Sequence, residues 1–220
     1  MIAEKLKFIQ KQIAISAESA GRDPHKIKLI CVTKQANLAQ INEIIGLGIN
    51  DLGESRLQQA RLRKAEIAAP VVWHMIGHLQ KNKAGQAVKI FNSIHSVDSI
   101  ELASLLNRHC GALGRVMEVL LQVNVAGEAS KYGFSAQDIF PALDKILKFK
   151  NLNITGLMMI APMVDNPESV RPYFAKLRKL RDNLNTPQVL QLSMGMSHDY
   201  TVAIQEGADI IRLGTVIFGK

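Results

Sequence analysis

Eight short apolar runs punctuate the chain, at residues 27–33, 49–52, 71–76, 92–97, 116–123, 154–160, 189–194 and 210–213. Between them lie stretches with helical periodicity, at 38–47, 55–67, 81–88, 99–110, 136–149, 167–184 and 199–206. A short apolar run reads as a strand buried on both faces, and its alternation with helices is the pattern of βαβ units in a parallel sheet. Eight such units of roughly two dozen residues each suit a closed (β/α)8 TIM barrel. Residues 1–21 add a leading amphipathic helix, so residues 1–220 are expected to form one domain. An open doubly wound sheet is the alternative; it lacks support because no G-x-G-x-x-G turn follows the first run. Ser135 and the segment from Asp165 to Pro167 offer helix starts, and Gly48 and Gly207 fall where helices should stop.

The composition is compatible with one large core. Of the residues, 47% are apolar and 21% charged, and no Pro/Gly-rich or low-complexity block marks a linker. The two cysteines, Cys31 and Cys110, lie far apart and match neither a zinc site nor a secreted disulfide framework, which points to the cytoplasm. The N-terminal segment carries Glu4, Lys5, Lys7, Lys11 and Glu18 among its apolar residues, so it is not a signal peptide, and no run is long enough to cross a bilayer. A net charge of +8 would suit an anionic partner. The cations are scattered, however, as in Arg61-Leu62-Arg63-Lys64 or Lys81 and Lys83, with no interleaved aromatics, and this reads as solvated surface and not as a nucleic-acid face.

Chemistry concentrates at two places. Near the end of the chain, Leu192-Ser193-Met194-Gly195-Met196-Ser197 and Arg212-Leu213-Gly214-Thr215 each close an apolar run with small residues and hydroxyls. Amides freed at the glycines, with the hydroxyls of Ser193, Ser197 and Thr215, make a donor-lined concavity of the kind that holds a phosphate. At the other end Lys34 closes the first run, at the edge of a parallel sheet where α/β proteins place reactive side chains. Alternation along a strand puts Ile30, Val32 and Lys34 on the lumen side and Leu29, Cys31 and Thr33 toward the helices, so Cys31 is a buried apolar residue and not a nucleophile. The same rule turns Ile210 and Arg212 inward on the last strand, beside the first when the barrel closes. Taken alone, a strand-terminal lysine is an ordinary surface cation. Combined with a phosphate cradle and a fixed cation, an amine shielded from water is suited to condense with one aldehyde cofactor, pyridoxal phosphate.

The matching segments are Val32-Thr33-Lys34, Leu52-Gly53-Glu54, the stretch from Trp73 to Lys83, Ser130-Lys131-Tyr132-Gly133, Gly156-Leu157-Met158-Met159, and the two C-terminal blocks. In this order they resemble the pyridoxal phosphate homeostasis protein family, the non-catalytic relatives of the N-terminal barrel of alanine racemase. The resemblance implies a fold type III barrel with no second β domain and pyridoxal 5′-phosphate held as a Schiff base on Lys34. It implies a phosphate site at Ser193, Gly195, Gly214 and Thr215, with Arg212 facing the pyridine nitrogen. A guanidinium donates only, so that nitrogen would stay unprotonated and the ring would be a weaker electron sink. Alanine racemase adds an opposing tyrosine from a further domain and a partner subunit; here the chain ends at Lys220, and Tyr132, Tyr173 and Tyr200 are its only tyrosines. Two departures stand out: Ser55 replaces the family's usual asparagine after Gly53-Glu54, and the loop Gln35-Ala36-Asn37 lacks a common proline.

The expected function is therefore a cytoplasmic, monomeric, non-catalytic carrier that buffers or delivers the cofactor, its partners being apo-enzymes that use pyridoxal phosphate or a regulatory protein. A pyridoxal phosphate-dependent amino-acid racemase or lyase is the alternative, a Schiff-base aldolase another, and a basic binding module a third. His74 and His78 stand four apart but straddle a strand end, without the helical arrangement of a zinc hydrolase, so His74 reads as a pocket wall or a hydrogen-bonding strand residue. Lys131 is either a second amine for the aldehyde or a loop cation. Met158, Met159, Met194 and Met196 read as barrel filling.

Overall fold

The computed structural model describes residues 1–128, 131–184 and 186–219. In chain order the elements are α1 (Ile2–Ser19), β1 (Lys28–Val32), α2 (Leu38–Gly46), β2 (Asp51–Glu54), α3 (Leu57–Glu66), β3 (Val72–Met75), α4 (Ala84–Ile90), β4 (Ser93–Val97), α5 (Ile100–Ala112), β5 (Met117–Gln122), α6 (Ile139–Ile146), β6 (Leu152–Met158), α7 (Arg171–Leu184), β7 (Gln191–Ser193), α8 (Tyr200–Gln205), β8 (Ile210–Leu213) and α9 (Thr215–Phe218). The strands form a closed parallel barrel in sequence order. Closure is made by β1 on β8, with Lys28 level with Ile210 and Cys31 level with Leu213. All eight apolar runs are strands, and the fold is the TIM barrel with a leading helix.

Two apolar compartments result from the alternation along each strand. Ile30, Leu120, Met158 and Ile210 fill the lumen, each at most 3% exposed, while the far larger cluster lies between the barrel and its helices. Cys31 belongs to this outer layer, and burial, with the Asp51 carboxylate adding, pushes its thiol up to about 12. Of the four methionines read as filling, Met158 lies in the lumen and Met159 and Met194 in the outer layer. Met196 is the exception: it is 37% exposed, because the chain has already turned out of β7 at Gly195.

Local chemistry explains most helix boundaries. Asn37 caps α2, its side chain accepting from Gln40 N–H at 2.9 Å while the Gln40 side chain accepts from Asn37 N–H. Gly48 and Gly207 stop α2 and α8 at φ of 90° and 100°. The α6 segment is shorter than its periodicity suggests, since the Ser135 hydroxyl accepts from the N–H groups of Gln137 and Asp138 and holds a turn before Ile139. Residues 167–184 divide into a 3-10 turn, Pro167–Val170, and α7; Lys81–Lys83 is likewise a 3-10 turn leading into α4. The leading helix is stapled to the last βα unit by Arg22, which donates to the carbonyls of Ile204 and Ala208 at 2.9 and 2.7 Å and pairs with Asp209 at 2.7 Å. Among the described residues no helix is long and apolar enough to cross a membrane.

Candidate functional site

Lys34 lies two residues beyond β1, in a turn at the C-terminal end of the barrel, the end where loops carry chemistry in this architecture. Its side chain is exposed, so the shielding from water expected of a strand end is not present. The turn is closed by Ala36 N–H donating to the Thr33 carbonyl at 2.9 Å. Behind it lies a buried polar cluster. Arg63 of α3 donates through Nη1 to the Thr33 carbonyl and to Glu54 Oε1, and through Nη2 to the Ala36 carbonyl at 2.8 Å. The Thr33 hydroxyl also donates to Glu54 Oε1.

Arg212 is inward on β8, as alternation requires, and 4% exposed. Its Nη1 donates to the Ser193 hydroxyl at 2.7 Å and its Nη2 to the Met159 carbonyl at 2.8 Å, which accounts for two of the five guanidinium N–H groups. From Ser193 a chain of polar groups crosses the lumen: Ser193 Oγ to His95 Nδ1 at 2.9 Å, His95 Nε2 to His74 Nδ1 at 3.1 Å, and His74 Nε2 to Asp51 Oδ1 at 2.8 Å. Lys28, the first residue of β1, reaches the same Asp51 oxygen at 3.7 Å. One arrangement of protons satisfies the whole chain. Arg212 donates to Ser193, Ser193 to His95, His95 to His74 and His74 to Asp51, with the His95 proton on Nε2.

The electrostatics agree with that direction. Burial, reinforced by His74, Arg212 and Lys28, holds the His95 imidazole well below its usual value of 6.5. Burial alone would raise the Asp51 carboxyl, but the bond to His74 and the nearby Lys28 outweigh it and leave it lowered. Arg212 is pulled down to about 10 by burial, against the opposing pull of Asp199, and stays a cation at neutral pH.

The phosphate-shaped loops converge beside Arg212. Gly214 N–H and Val216 N–H both donate to the Ser197 hydroxyl at 3.3 Å. A Cβ on Gly214 would lie 3.1 Å from the Val32 carbonyl, so the loop presses on the end of the strand that leads to Lys34. Gly195 makes the turn between Ser193 and Ser197, at φ +92° and with an added Cβ 2.6 Å from Ala203 Cβ, a place only glycine fits. Ser197, Thr215 and Val216 open onto a cavity of about 840 Å³ shared with Lys131 and Ile160.

Of the residues singled out from sequence, Gly195, Gly214 and Thr215 are thus gathered around Ser197, with Arg212 on β8 and Lys34 in the turn after β1. Ser193 is different: it is fully buried and its hydroxyl is held between His95 and Arg212. His74 is in the lumen with both ring nitrogens bonded, a hydrogen-bonding strand residue and not a pocket wall. His78 is apart from it at the exposed rim, bonded to Asp98 at 2.9 Å and stacked on Tyr132 with ring centroids 3.5 Å apart. Lys131 pairs with Glu128 at 2.8 Å, while Ser130 of the same motif lies outside the described residues. Ser55 sits against Gly77, whose added Cβ would lie 2.5 Å from the Ser55 carbonyl oxygen. Sequence reasoning missed His95, Asp51 and Arg63. A signal for His95 existed, since Ser93 and His95 interrupt the apolar β4 with a period of two.

Comparison with known proteins gives the chain's family. The family model for the alanine racemase N-terminal domain matches residues 6–220. A pyridoxal phosphate homeostasis protein of Aquifex aeolicus is 39% identical over 99% of this chain and 97% of its own. PipY of Synechococcus elongatus, solved without PLP, superposes with a TM-score of 0.90 at 37% identity, covering all of both chains. The same protein solved with PLP bound gives 0.88 at 36% identity, again with full coverage of both. Matched along its whole length in sequence and in fold, the chain belongs to the pyridoxal phosphate homeostasis protein family, within the alanine racemase N-terminal domain group.

Proposed function

We propose that this protein binds pyridoxal 5′-phosphate at the C-terminal mouth of its barrel and carries it, without turning over an amino acid, for use by apo-enzymes. The observation that carries the reading is that three unlike groups stand at one end of the barrel: the amides of Gly214 and Val216 around Ser197, the inward guanidinium of Arg212, and the exposed amine of Lys34, in the turn that follows the strand end pressed by Gly214. This set fits the cofactor. Paired amides and a hydroxyl match the phosphate, a donor-only cation matches the pyridine nitrogen, and a primary amine matches the aldehyde. PipY, which keeps the fold at full coverage, has been solved with PLP bound.

When bound, the cofactor supplies an electrophilic aldehyde carbon. Lys34 Nζ would supply the primary amine that meets it. Gly214, Thr215 and Ser197 hold the phosphate, and Gly195 shapes the loop that presents Ser197. Arg212, a donor that cannot accept a proton, would face the pyridine nitrogen and leave it unprotonated, a weaker electron sink. Ser193 holds Arg212 from behind, and this replaces the phosphate contact its position in the sequence suggests.

Two of the tyrosines speak against turnover: Tyr200 is buried, which raises its hydroxyl, and Tyr173 lies on α7; Tyr132 is 54% exposed and stacked on His78. Tyr132 favours the second reading, a racemase or lyase, because it is at the mouth, lining a cavity of about 150 Å³ with Gln122 and Lys131. The test is near-visible absorbance of the protein with pyridoxal phosphate, beside Lys34→Ala, before and after a panel of amino acids. A band in the parent, lost in the variant and with no product formed, supports the carrier. Turnover favours the second reading, and no band in the parent removes the lysine assignment.

A further inference from the structure

We propose that Arg63 and Glu54 are positioning residues for Lys34, a buried clamp that fixes the turn from which the amine reaches the aldehyde. The proposal rests on the reading of Lys34 as the condensing lysine and adds what makes its backbone rigid. Lys34 and Gln35 are both exposed, so no packing of their own side chains holds them. The loop Gln35-Ala36-Asn37 has no proline to stiffen it. Beyond the Ala36 N–H bond that closes the turn, one guanidinium holds it from behind: Arg63 takes the carbonyls of Thr33 and Ala36, the residues that bracket Lys34 and Gln35. Two fixed points three residues apart leave the Lys34 Cα little freedom.

Glu54 completes the device. It is fully buried at the end of β2, accepts from Arg63 and from the Thr33 hydroxyl on one oxygen, and so ties the clamp to the barrel wall. A buried ion pair is weak support for stability, since desolvating both charges offsets most of their attraction, and apolar replacements of similar volume often do as well. A chain that buries Arg63 and Glu54 behind its reactive turn gains geometry instead. The other Glu54 oxygen is buried with no hydrogen-bond partner among the described residues, the opposite of what a purely stabilising pair would show.

The experiment compares Arg63→Met, Arg63→Lys and Glu54→Gln with the parent and with Lys34→Ala. Each is titrated with pyridoxal 5′-phosphate by near-visible absorbance, and with pyridoxine 5′-phosphate, whose alcohol cannot condense and which reads the phosphate and ring contacts without the C=N bond. The clamp predicts that Arg63→Met weakens the covalent complex by about tenfold or more while binding of the alcohol changes by less than about twofold. Arg63→Lys, able to reach one carbonyl but not both, falls between. In the unliganded protein, hydrogen exchange at the Ala36 amide quickens in both Arg63 variants. Should Arg63→Met fail to fold, Arg63→Lys and the exchange measurement carry the test. Unchanged aldehyde binding, or equal loss for both ligands, overturns the clamp. A band retained by Lys34→Ala overturns the lysine reading instead, so the two failures are separable.

Discussion

Replacing His95 by glutamine should remove a defined part of the protein's acid sensitivity. In the folded barrel His95 is fully buried and held neutral, with a pKa well below 6.5, whereas in the unfolded chain it titrates near that value. Between the two pKa values the unfolded state binds one proton that the folded state refuses, so stability is full above about pH 6.5 and is lost as pH falls. One proton corresponds to about 1.4 kcal/mol per pH unit, and the curvature around 6.5 brings the loss from about pH 7.5 to about pH 5.5 to roughly 1.4 kcal/mol. Glutamine offers a donor and an acceptor to His74 and Ser193 but takes up no proton, so this slope is absent in the variant. Titrating groups remote from the lumen act in both proteins and cancel in the difference. Urea denaturation of the unliganded parent and His95→Gln at three pH values reads the effect directly. The variant is the less stable near neutrality, and the two stabilities draw together as pH falls. Parallel curves over that range would refute the neutral, buried imidazole and the proton arrangement of the lumen with it.

Three further outcomes follow from the packing. Ile30→Ala opens the lumen against Leu120, Met158 and Ile210 and is expected to cost about 2–5 kcal/mol in the same assay, with the larger figure if the barrel cannot collapse around the gap. Gly195→Ala forces a Cβ into Ala203 at positive φ and is expected to destabilise by about 1–3 kcal/mol and to weaken inorganic phosphate binding, read by the phosphate-dependent rise in melting temperature; an unperturbed variant would contradict the close contact. Both Cys31 and Cys110 are buried, with thiols raised chiefly by desolvation, so a water-soluble thiol reagent at neutral pH labels them only as fast as the protein opens, and stoichiometric labelling of the native protein within seconds would be inconsistent with the barrel wall described.

Local regularities made the barrel legible. Alternation placed Ile30, Ile210 and Arg212 in the lumen and Cys31 outside it, and eight apolar runs separated by helices left little choice of topology. Extended consistently to β7, the same rule would have separated the two serines read together as phosphate ligands. Leu192 lies in the outer layer, so Ser193, its neighbour, points into the lumen, whereas Ser197 follows the turn at Gly195 and faces the cradle. What no local pattern carries is the identity of a partner brought close by closure. Ser193 and His95 are 98 residues apart, and Arg63 reaches back 30 residues to Thr33. Arg63 in particular resembles its neighbours Arg61 and Lys64, which are exposed on the same helix. Only its position on the face of α3 turned to the barrel makes it a clamp, and a charge whose meaning depends on the side of a helix it occupies is the kind of residue that sequence reading assigns to solvent.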